Sequence, residues 1–577
     1  MAAQRRRRAL GLTATAMAAA LASAGLAGGL SPAASAAAPG DCDEAFPVAD
    51  LEAGQPVTGL TVSTGTQPDG FEGEVLGVVD DGITVGLDMV MVRLQSPEID
   101  RVGGIWAGMS GSPVYAEDGR LIGAVAYGLA LGPSPVAGVT PFEDMDDYLP
   151  GDDVAKKVEI TDAQARAIVR ETDVSAATAE GGFRQLPMDL AASGVGQKRL
   201  DGLTGRSYLP KNVRTMGAAA AAGDGPGVES LVPGGNLGAT VSYGDVTFGG
   251  VGTLTTICDD EIVGFGHPLA FLGHTTAMIN PADAVYIQED PTLNPFKVAN
   301  LGAAVGTLDE DRRAAITGRI GALPEITDVT STVRFGTRAR TGSSFVSVPR
   351  YTPTVAIYQL FGNHDRVLDA YLPGTELQSY RITGKRPNGT AYSIDVTDRY
   401  TDGYDITGAT PWDVADAMYY LSQVDGATMD GVSVTGTVVE DTSAWRVRGV
   451  QQFREGAWRA VGRGKPIVVT AGRTAYLRAT ITSQGVTKQV RIDQKVGVRL
   501  KGGRGSVAVT GGDWLWTEVE TGSVGEIEAS LEGATRNDQL QVDVSISARR
   551  GDAERSQATA PRGKVVRGSV RVPIQVR

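Results

Sequence analysis

The chain has 577 residues and a formal net charge of −14, with 42% hydrophobic and 21% charged residues. This length suits about three or four domains, each large enough to bury a core. A surface this acidic repels phosphate backbones, and no basic stripe with interleaved aromatic residues occurs, so no nucleic-acid partner is expected. The 76 glycines separate many short runs rich in Val, Ile and Thr, which predicts a mainly β fold.

Residues 1–36 have the layout of a signal peptide. Four arginines at 5–8 precede an uncharged stretch over 10–30, and small residues at 34–36 stand at the expected cleavage spacing. A retained membrane anchor is the alternative, but Ala, Gly, Ser and Thr dominate the stretch and gain little on entering lipid. We therefore expect a mature chain that begins near Ala37, a secreted or extracytoplasmic location and no stable membrane insertion. Loss of four Arg and no acidic residue moves the net charge from −14 to −18.

The two cysteines, Cys42 and Cys258, are candidates for a disulfide in an oxidising compartment. Such a bridge would tie the mature N-terminus to the middle of the chain; two separate buried thiols are the alternative. The three histidines, His267, His274 and His364, lack zinc-ligand spacing with carboxylates. No metal or other cofactor is expected.

A first β-rich lobe is predicted over residues 41–150. Hydrophobic runs separated by acidic-Gly turns predict hairpins at 75–85 and 114–125, and a strand at 89–92. The turn of the first hairpin is predicted at 80–82, which reads Asp-Asp-Gly.

The most informative segment of this lobe is residues 103–114, which read GGIWAGMSGSPV. A Gly-x-Ser-Gly turn places the Ser110 hydroxyl on a tight bend and leaves neighbouring N–H groups free. The amides of Gly108 and Ser110 are candidates for an oxyanion hole, and Gly111 lets the backbone pass close behind the hydroxyl. An ordinary Gly/Ser turn between strands is the alternative.

Residues 151–236 are predicted to be a helical segment followed by a Gly/Ala linker. Thr161 is the expected N-cap of a helix that runs to Glu171. The Ala- and Gly-rich stretch 217–235 is typical of a linker or a mobile loop.

A second β-rich lobe is predicted over residues 237–400. It contains GVGTLT at 250–255 and VGFGHP at 263–268. His267 stands at the end of a Gly-rich strand between small residues that leave its ring accessible, and a neutral imidazole suits a general base. A buried structural histidine is the alternative, and His274 is the competing base.

The rest of the chain is predicted to be structural. His364 is expected in a turn, and a connecting helix is expected within residues 401–428, with Thr410 as its N-cap. Residues 429–577 alternate hydrophobic and polar positions, which predicts a β-sandwich. This region has no cluster of titratable residues, so it is interpreted as a structural module or as one that docks a partner.

Together, segments 103–114 and 250–268 resemble the SpoIVB (sporulation stage IV B) serine peptidases. The resemblance implies that Ser110 is the nucleophile and His267 the base. The first segment is also similar, more distantly, to the Gly-Asp-Ser-Gly-Gly-Pro of chymotrypsin-like enzymes. The implied fold is a two-lobed chymotrypsin-like peptidase unit. The C-terminal sandwich, which lies outside the resemblance, and a few short helices are predicted from the sequence pattern. The implied activity is an exported serine endopeptidase that cleaves protein or peptide substrates through an acyl-enzyme.

Two features depart from the family. The histidine segment precedes the serine segment in the family, whereas Ser110 comes first here; catalytic triads recur in different chain orders. The family's candidate aspartate lies in an Asp-Pro-Glu pattern, but residues 96–98 read Ser-Pro-Glu. Asp100, Asp245 and Asp283 remain candidates for the third member, and a Ser/His dyad is the further alternative.

These departures favour a second hypothesis of a different class, a catalytically degenerate exported protein that binds or scaffolds through its C-terminal sandwich. The intact glycine contexts of Ser110 and His267 favour the enzyme.

Overall fold

The described residues of the computed structural model contain mostly strands, with few helices, so the predicted mainly β fold is confirmed. The predicted signal peptide at 1–36 and residues 217–224 of the predicted linker lie outside the described residues. The structure describes residues 42–145, 157–186, 191–203, 206–210, 214–215, 225–290 and 294–577.

The first β region contains a ring of six antiparallel strands, in which the order β4-β1-β2-β3-β6-β5 is closed by pairing of β5 with β4. Inward-facing apolar residues form its core, with Trp106 and Met109 completely buried among them. The elements are β1 (Pro56–Thr61), β2 (Asp69–Thr84), β3 (Leu87–Gln95), α1 (Pro97–Val102), β4 (Pro113–Ala116), β5 (Leu121–Leu129) and β6 (Val136–Pro141).

The second predicted hairpin is confirmed as β4 and β5, but the first is placed incorrectly. Residues 80–82 lie inside β2, where the register shifts between Val79 and Thr84, and the turn into β3 comes after Thr84. Asp81 has a φ of 51°, and its carboxylate accepts a hydrogen bond from the Gly86 amide. The Asp-Gly pair therefore builds a bulge rather than the hairpin turn.

The region after the first ring leads into the second β region. The predicted helix is α2, with Thr161 forming a capping box with Gln164. Strands β7 and β8 extend the sheet of the first ring, and β9 and β10 extend the sheet of the next lobe. The elements are β7 (Lys157–Val158), α2 (Asp162–Glu171), α3 (Ala176–Glu180), β8 (Phe183–Gln185), β9 (Ala191–Ala192), α4 (Gln197–Asp201) and β10 (Arg214–Thr215).

The second β region contains another ring of six antiparallel strands, in the order β12-β13-β18-β17-β15-β11 and closed by pairing of β11 with β12. Short strands β14 and β16 pair outside this ring, with β17 and β15. The elements are β11 (Asn236–Gly244), β12 (Phe248–Cys258), β13 (Glu261–Gly264), β14 (Gly273–His274), β15 (Met278–Gln288), β16 (Phe296–Leu301), β17 (Gly306–Asp311) and β18 (Ile316–Ile320).

From β11 the same sheet continues through β20, β19, β23, β21 and β22, and α5 packs against β19 and β20. The sequence predicted only short helices, but α5 has 17 residues and carries His364, which was predicted in a turn. The connecting helix is α7, and Thr410 does not cap it through its side chain. The elements are β19 (Thr327–Phe335), β20 (Arg338–Val346), α5 (Thr352–Leu368), β21 (Gly374–Lys385), β22 (Ala391–Asp402), α6 (Ile406–Ala409), α7 (Trp412–Ser422) and β23 (Thr428–Val439).

The C-terminal region consists of two five-stranded sheets and a two-stranded sheet, with one hydrophobic core shared by the larger two. It begins at Trp445 rather than at residue 429, because β23 pairs with β19 and β21. Its elements are β24 (Trp445–Arg454), β25 (Ala457–Val461), β26 (Ile467–Val469), β27 (Thr474–Ala475), β28 (Leu477–Ser483), β29 (Val486–Arg491), β30 (Gln494–Lys495), β31 (Arg504–Gly511), α8 (Val524–Glu532), β32 (Leu540–Ala548), β33 (Gly551–Ala558), β34 (Val566–Arg567) and β35 (Ser569–Val576).

A disulfide joins Cys42 to Cys258, as predicted, with their Cα atoms 5.0 Å apart. It links the segment before the first ring to the end of β12 in the second ring. In the described part of the chain, no helix has the length and apolar character needed to cross a membrane.

Candidate active site

The predicted nucleophile segment forms the loop between α1 and β4, anchored by the buried side chains of Trp106 and Met109. Gly111 has a φ of 98°. A Cβ atom at Gly111 would overlap the carbonyl oxygen of Thr253 and would lie 2.6 Å from the amide nitrogen of Phe265. Glycine therefore allows the second ring to approach the loop this closely.

Two threonines of the GVGTLT segment hold this loop from the second ring. The Thr253 hydroxyl donates to the Gly108 carbonyl at 2.9 Å, and the Thr255 hydroxyl donates to the Gly111 carbonyl at 2.8 Å. The Thr253 amide also donates to the Ser110 carbonyl at 2.7 Å. Both threonines are completely buried. The loop around Ser110 is thus fixed by hydrogen bonds on both sides of the serine.

His267 follows β13 in a turn whose two preceding residues have positive φ. The Asp311 carboxylate, on β17, accepts hydrogen bonds from three backbone amides within residues 269–272, at 2.7–2.9 Å. From the first ring, the Thr140 hydroxyl donates to the Gly266 carbonyl at 2.6 Å. Contacts from both rings therefore hold the backbone that positions the imidazole.

The structure brings the two predicted residues together, because His267 Nε2 lies 2.8 Å from Ser110 Oγ. Their relative exposures are 1% for Ser110 and 0% for His267. Burial lowers the pKa of His267 to about 4, although the Pro268 carbonyl opposes this shift. The imidazole is therefore uncharged at neutral pH, which is the protonation state that a general base needs.

The amides of Gly108 and Ser110, predicted to form the oxyanion hole, make no hydrogen bond to another residue that the structure describes. Their neighbours differ, since the amides of Met109 and Ser112 donate to the carbonyls of Trp106 and Met109. Gly108 has a φ of 107°. These two predicted N–H donors thus have no hydrogen-bond acceptor within the loop.

The other ring nitrogen of His267 has two described partners. Nδ1 lies 2.8 Å from the Pro268 carbonyl oxygen and 2.9 Å from Gln185 Nε2, on β8. Gln185 Nε2 is also 3.4 Å from the Pro268 oxygen. Sequence reasoning missed Gln185, since nothing in the local pattern of residues 183–186 indicates contact with a residue more than 80 positions away.

None of the three acids predicted as candidates is among the described hydrogen-bond partners of His267. Asp245 instead forms an ion pair with Arg340 at 2.7 Å. Asp100 lies in α1 and Asp283 lies in β15. Nδ1 thus has a carbonyl and an amide as described partners where a triad has a carboxylate.

Lys297 is a buried lysine beside the loop that carries Ser110. Its amide donates to the Ala107 carbonyl at 2.9 Å, and its aliphatic carbons lie next to Gly108. Its Nζ donates to Asn236 Oδ1 at 2.8 Å, and burial lowers the pKa of Lys297 to about 7. The side chain of Lys297 lies next to the predicted oxyanion hole. The described hydrogen-bond partner of the Ser110 hydroxyl is His267 and not Lys297.

The other two histidines lie elsewhere. His274 is exposed on β14, with Nδ1 3.3 Å from Glu310. His364 is completely buried in α5, where Nε2 lies 2.8 Å from Glu376 and Nδ1 lies 2.7 Å from the Leu360 carbonyl.

Comparison of the chain with protein-family models, with curated proteins and with solved structures finds no match. A role for the Ser110–His267 pair therefore depends on its geometry and on the resemblance of the two motifs.

Proposed function

We propose that this protein is an exported serine endopeptidase in which Ser110 is the nucleophile and His267 is the general base. The observation that carries the proposal is the 2.8 Å contact between Ser110 Oγ and His267 Nε2, two residues separated by 157 positions. A hydroxyl within hydrogen-bond reach of an uncharged imidazole is the arrangement that activates a serine nucleophile.

In the proposed reaction, Ser110 Oγ attacks the scissile carbonyl carbon while its proton passes to His267 Nε2. The amides of Gly108 and Ser110 stabilise the resulting oxyanion. The peptide C–N bond then breaks as Nε2 returns the proton to the leaving amine, which leaves an ester on Ser110. Water attacks this ester with the same base, and the carboxylic acid product and the free hydroxyl are released.

The strand arrangement supports the finer proposal of a two-lobed chymotrypsin-like unit. Each of the two rings has six antiparallel strands, and each contributes one member of the pair. The nucleophile loop precedes β4 in the first ring, and His267 follows β13 in the second. A pair assembled across two lobes does not depend on which lobe comes first in the chain, so the order reversed relative to the SpoIVB family is compatible with the proposal.

Export is supported by the signal-peptide layout of residues 1–36 and by the disulfide between Cys42 and Cys258. Disulfides persist mainly in oxidising compartments outside the cytoplasm. N-terminal sequencing of secreted material is expected to begin near Ala37, and a sequence that begins at Met1 would contradict this part of the proposal.

Labelling with a serine-directed fluorophosphonate, followed by peptide mapping, tests the activity. The wild-type protein is expected to be labelled at Ser110. Ser110→Ala is expected to lose the label while the fold stays intact and the stability changes by only about 1 kcal/mol. Ser112→Ala is the matched control, because Ser112 is also buried and lies two positions away; it is expected to be labelled. Labelling that survives Ser110→Ala but not Ser112→Ala would show that the nucleophile is misassigned.

Two observations favour the alternative of a degenerate binding or scaffold protein. Both members of the pair are buried, and the described partners of His267 include no carboxylate. This alternative predicts no fluorophosphonate adduct on the folded wild-type protein, even after prolonged incubation in which a reference serine peptidase reacts completely.

A further inference from the structure

Two groups next to His267 Nδ1 favour opposite tautomers of the ring. The Pro268 carbonyl oxygen, at 2.8 Å, can only accept a hydrogen bond, so it favours a proton on Nδ1. The Gln185 amide nitrogen, at 2.9 Å, can only donate, so it favours a bare Nδ1. One neutral imidazole cannot satisfy both.

The position of the ring proton, on Nδ1 or on Nε2, decides whether Nε2 accepts a hydrogen bond from Ser110 or donates one. With the proton on Nδ1, Nε2 has a free lone pair and accepts the Ser110 proton. With the proton on Nε2, the ring donates to Ser110 Oγ and cannot act as a base. In a serine triad, the wrong histidine tautomer costs about 10⁴-fold in turnover. The residue that selects the tautomer therefore controls the nucleophile.

Gln185 is placed to make this selection. It is half-buried on β8, which pairs with β5 of the first ring. Its amide nitrogen carries two hydrogens and lies within reach of both Nδ1 and the Pro268 oxygen. Rotation of the carboxamide by half a turn replaces this donor with the oxygen Oε1, an acceptor, at the same position.

We propose that Gln185 is the positioning residue of the Ser110–His267 pair, and that the orientation of its amide selects the tautomer of His267. With the amide nitrogen at Nδ1, the pair rests with Nε2–H donating to Ser110. With the amide oxygen at Nδ1, the Nδ1 proton is shared between Gln185 and Pro268, and Nε2 is free to accept. This inference rests on the proposed function, and it assigns to an amide the place of the carboxylate that the sequence lacks.

The charged side chains of the described residues give no other explanation for the tautomer of His267. Among described residues, no charged side chain contributes to the lowered pKa of His267, which results from burial opposed by the Pro268 carbonyl. The Asp311 carboxylate, which holds the backbone after His267, accepts hydrogen bonds from three backbone amides.

The direct test measures the tautomer itself. Ring ¹⁵N chemical shifts of histidine distinguish protonated from bare nitrogens, and the chain has only three histidines, so His267→Ala assigns the His267 signals. The wild-type protein is expected to carry its proton mainly on Nε2. Gln185→Glu and Gln185→Met both remove the N–H donor and are expected to move the proton to Nδ1.

The two variants differ in a second readout. The carboxylate of Gln185→Glu is expected to raise the titration midpoint of His267 by about 1–3 pH units, as an opposite charge at this distance does. Gln185→Met keeps the size of the side chain without a charge and is expected to leave the midpoint near its wild-type value. A wild-type ring already protonated on Nδ1, with shifts unchanged in both variants, would overturn the proposal.

A kinetic measurement links the tautomer to the reaction. The rate of fluorophosphonate labelling is expected to rise at least about tenfold in Gln185→Glu, since the productive tautomer becomes dominant. Failure of every variant to label, with the ring shifts changing as expected, would refute the proposed peptidase activity while leaving the role of Gln185 intact. Unchanged labelling rates and pH profiles in a protein that does label would refute the role of Gln185.

Discussion

The hydroxyls of Thr253 and Thr255 are expected to hold the nucleophile loop in register with His267. Each donates to a loop carbonyl, Gly108 or Gly111, at 2.8–2.9 Å in a completely buried environment. Valine has nearly the same shape as threonine but no hydroxyl, so each Thr→Val substitution leaves one buried carbonyl without its donor. The cost of such an unsatisfied group is about 1–3 kcal/mol.

The double variant Thr253→Val/Thr255→Val is therefore expected to lower the free energy of unfolding by about 2–5 kcal/mol, with some coupling because both threonines contact one loop. A shift of the loop of about 1 Å relative to His267 also lowers the reaction rate by about 100-fold. Urea unfolding and the rate of fluorophosphonate labelling measure the two effects on one preparation.

Thr332→Val is the matched control, because its hydroxyl contacts Thr341 at 2.8 Å on an exposed face of the large sheet. It is expected to change stability by less than about 0.5 kcal/mol and to leave labelling unchanged. If the double variant matches the wild type in both stability and labelling, the threonines do not position the loop, and the second ring does not set the site geometry.

Three further predictions concern stability. Reduction of the Cys42–Cys258 disulfide, which spans a sequence separation of 216, is expected to lower the free energy of unfolding by up to about 5 kcal/mol; equal urea midpoints with and without reductant would contradict this. Asp311→Ala is expected to lower the free energy of unfolding by about 1–3 kcal/mol, because three backbone amides, one buried and two partly buried, lose their acceptor; a wild-type melting temperature would count against it. Burial lowers the pKa of His364, but Glu376 more than compensates, so its pKa is raised overall. The stability from this pair is complete below the unfolded pKa of about 6.5 and is lost as the pH rises through the folded pKa; urea unfolding from pH 6 to 9 should show the decline, and His364→Gln should remove it.

Local patterns in the sequence were sufficient for several parts of this structure. Glycine contexts, together with the resemblance of two motifs to the SpoIVB family, made Ser110 and His267 the candidate pair, because a tight turn and a close backbone approach each require a residue without a side chain. Short Val-, Ile- and Thr-rich runs separated by glycines predicted the mainly β fold, and Thr161 as an N-cap predicted the start of α2. The even number of cysteines in a chain with an export signal indicated the disulfide.

Local patterns also failed where long-range pairing decided the outcome. Residues 80–82 have the composition of a hairpin turn, but the pairing of β2 with β3 makes them a bulge. The segment around His364 contains Gly, Asn and Asp, which favour turns, yet packing of α5 against β19 and β20 stabilises a helix there. Strand β23 looks like part of the C-terminal region until its pairing with β19 and β21 is known.

The sequence by itself determined which residues are candidates for the proposed chemistry, namely a serine and a histidine each set among glycines. Only the tertiary structure decided that they meet and what surrounds them. Gln185, Thr253 and Thr255 act on residues 82 to 145 positions away, and such contacts depend on how two six-stranded rings close and pack. The spacing of residues within one strand or loop encodes the local conformation, whereas a contact between rings depends on all the pairings that build them.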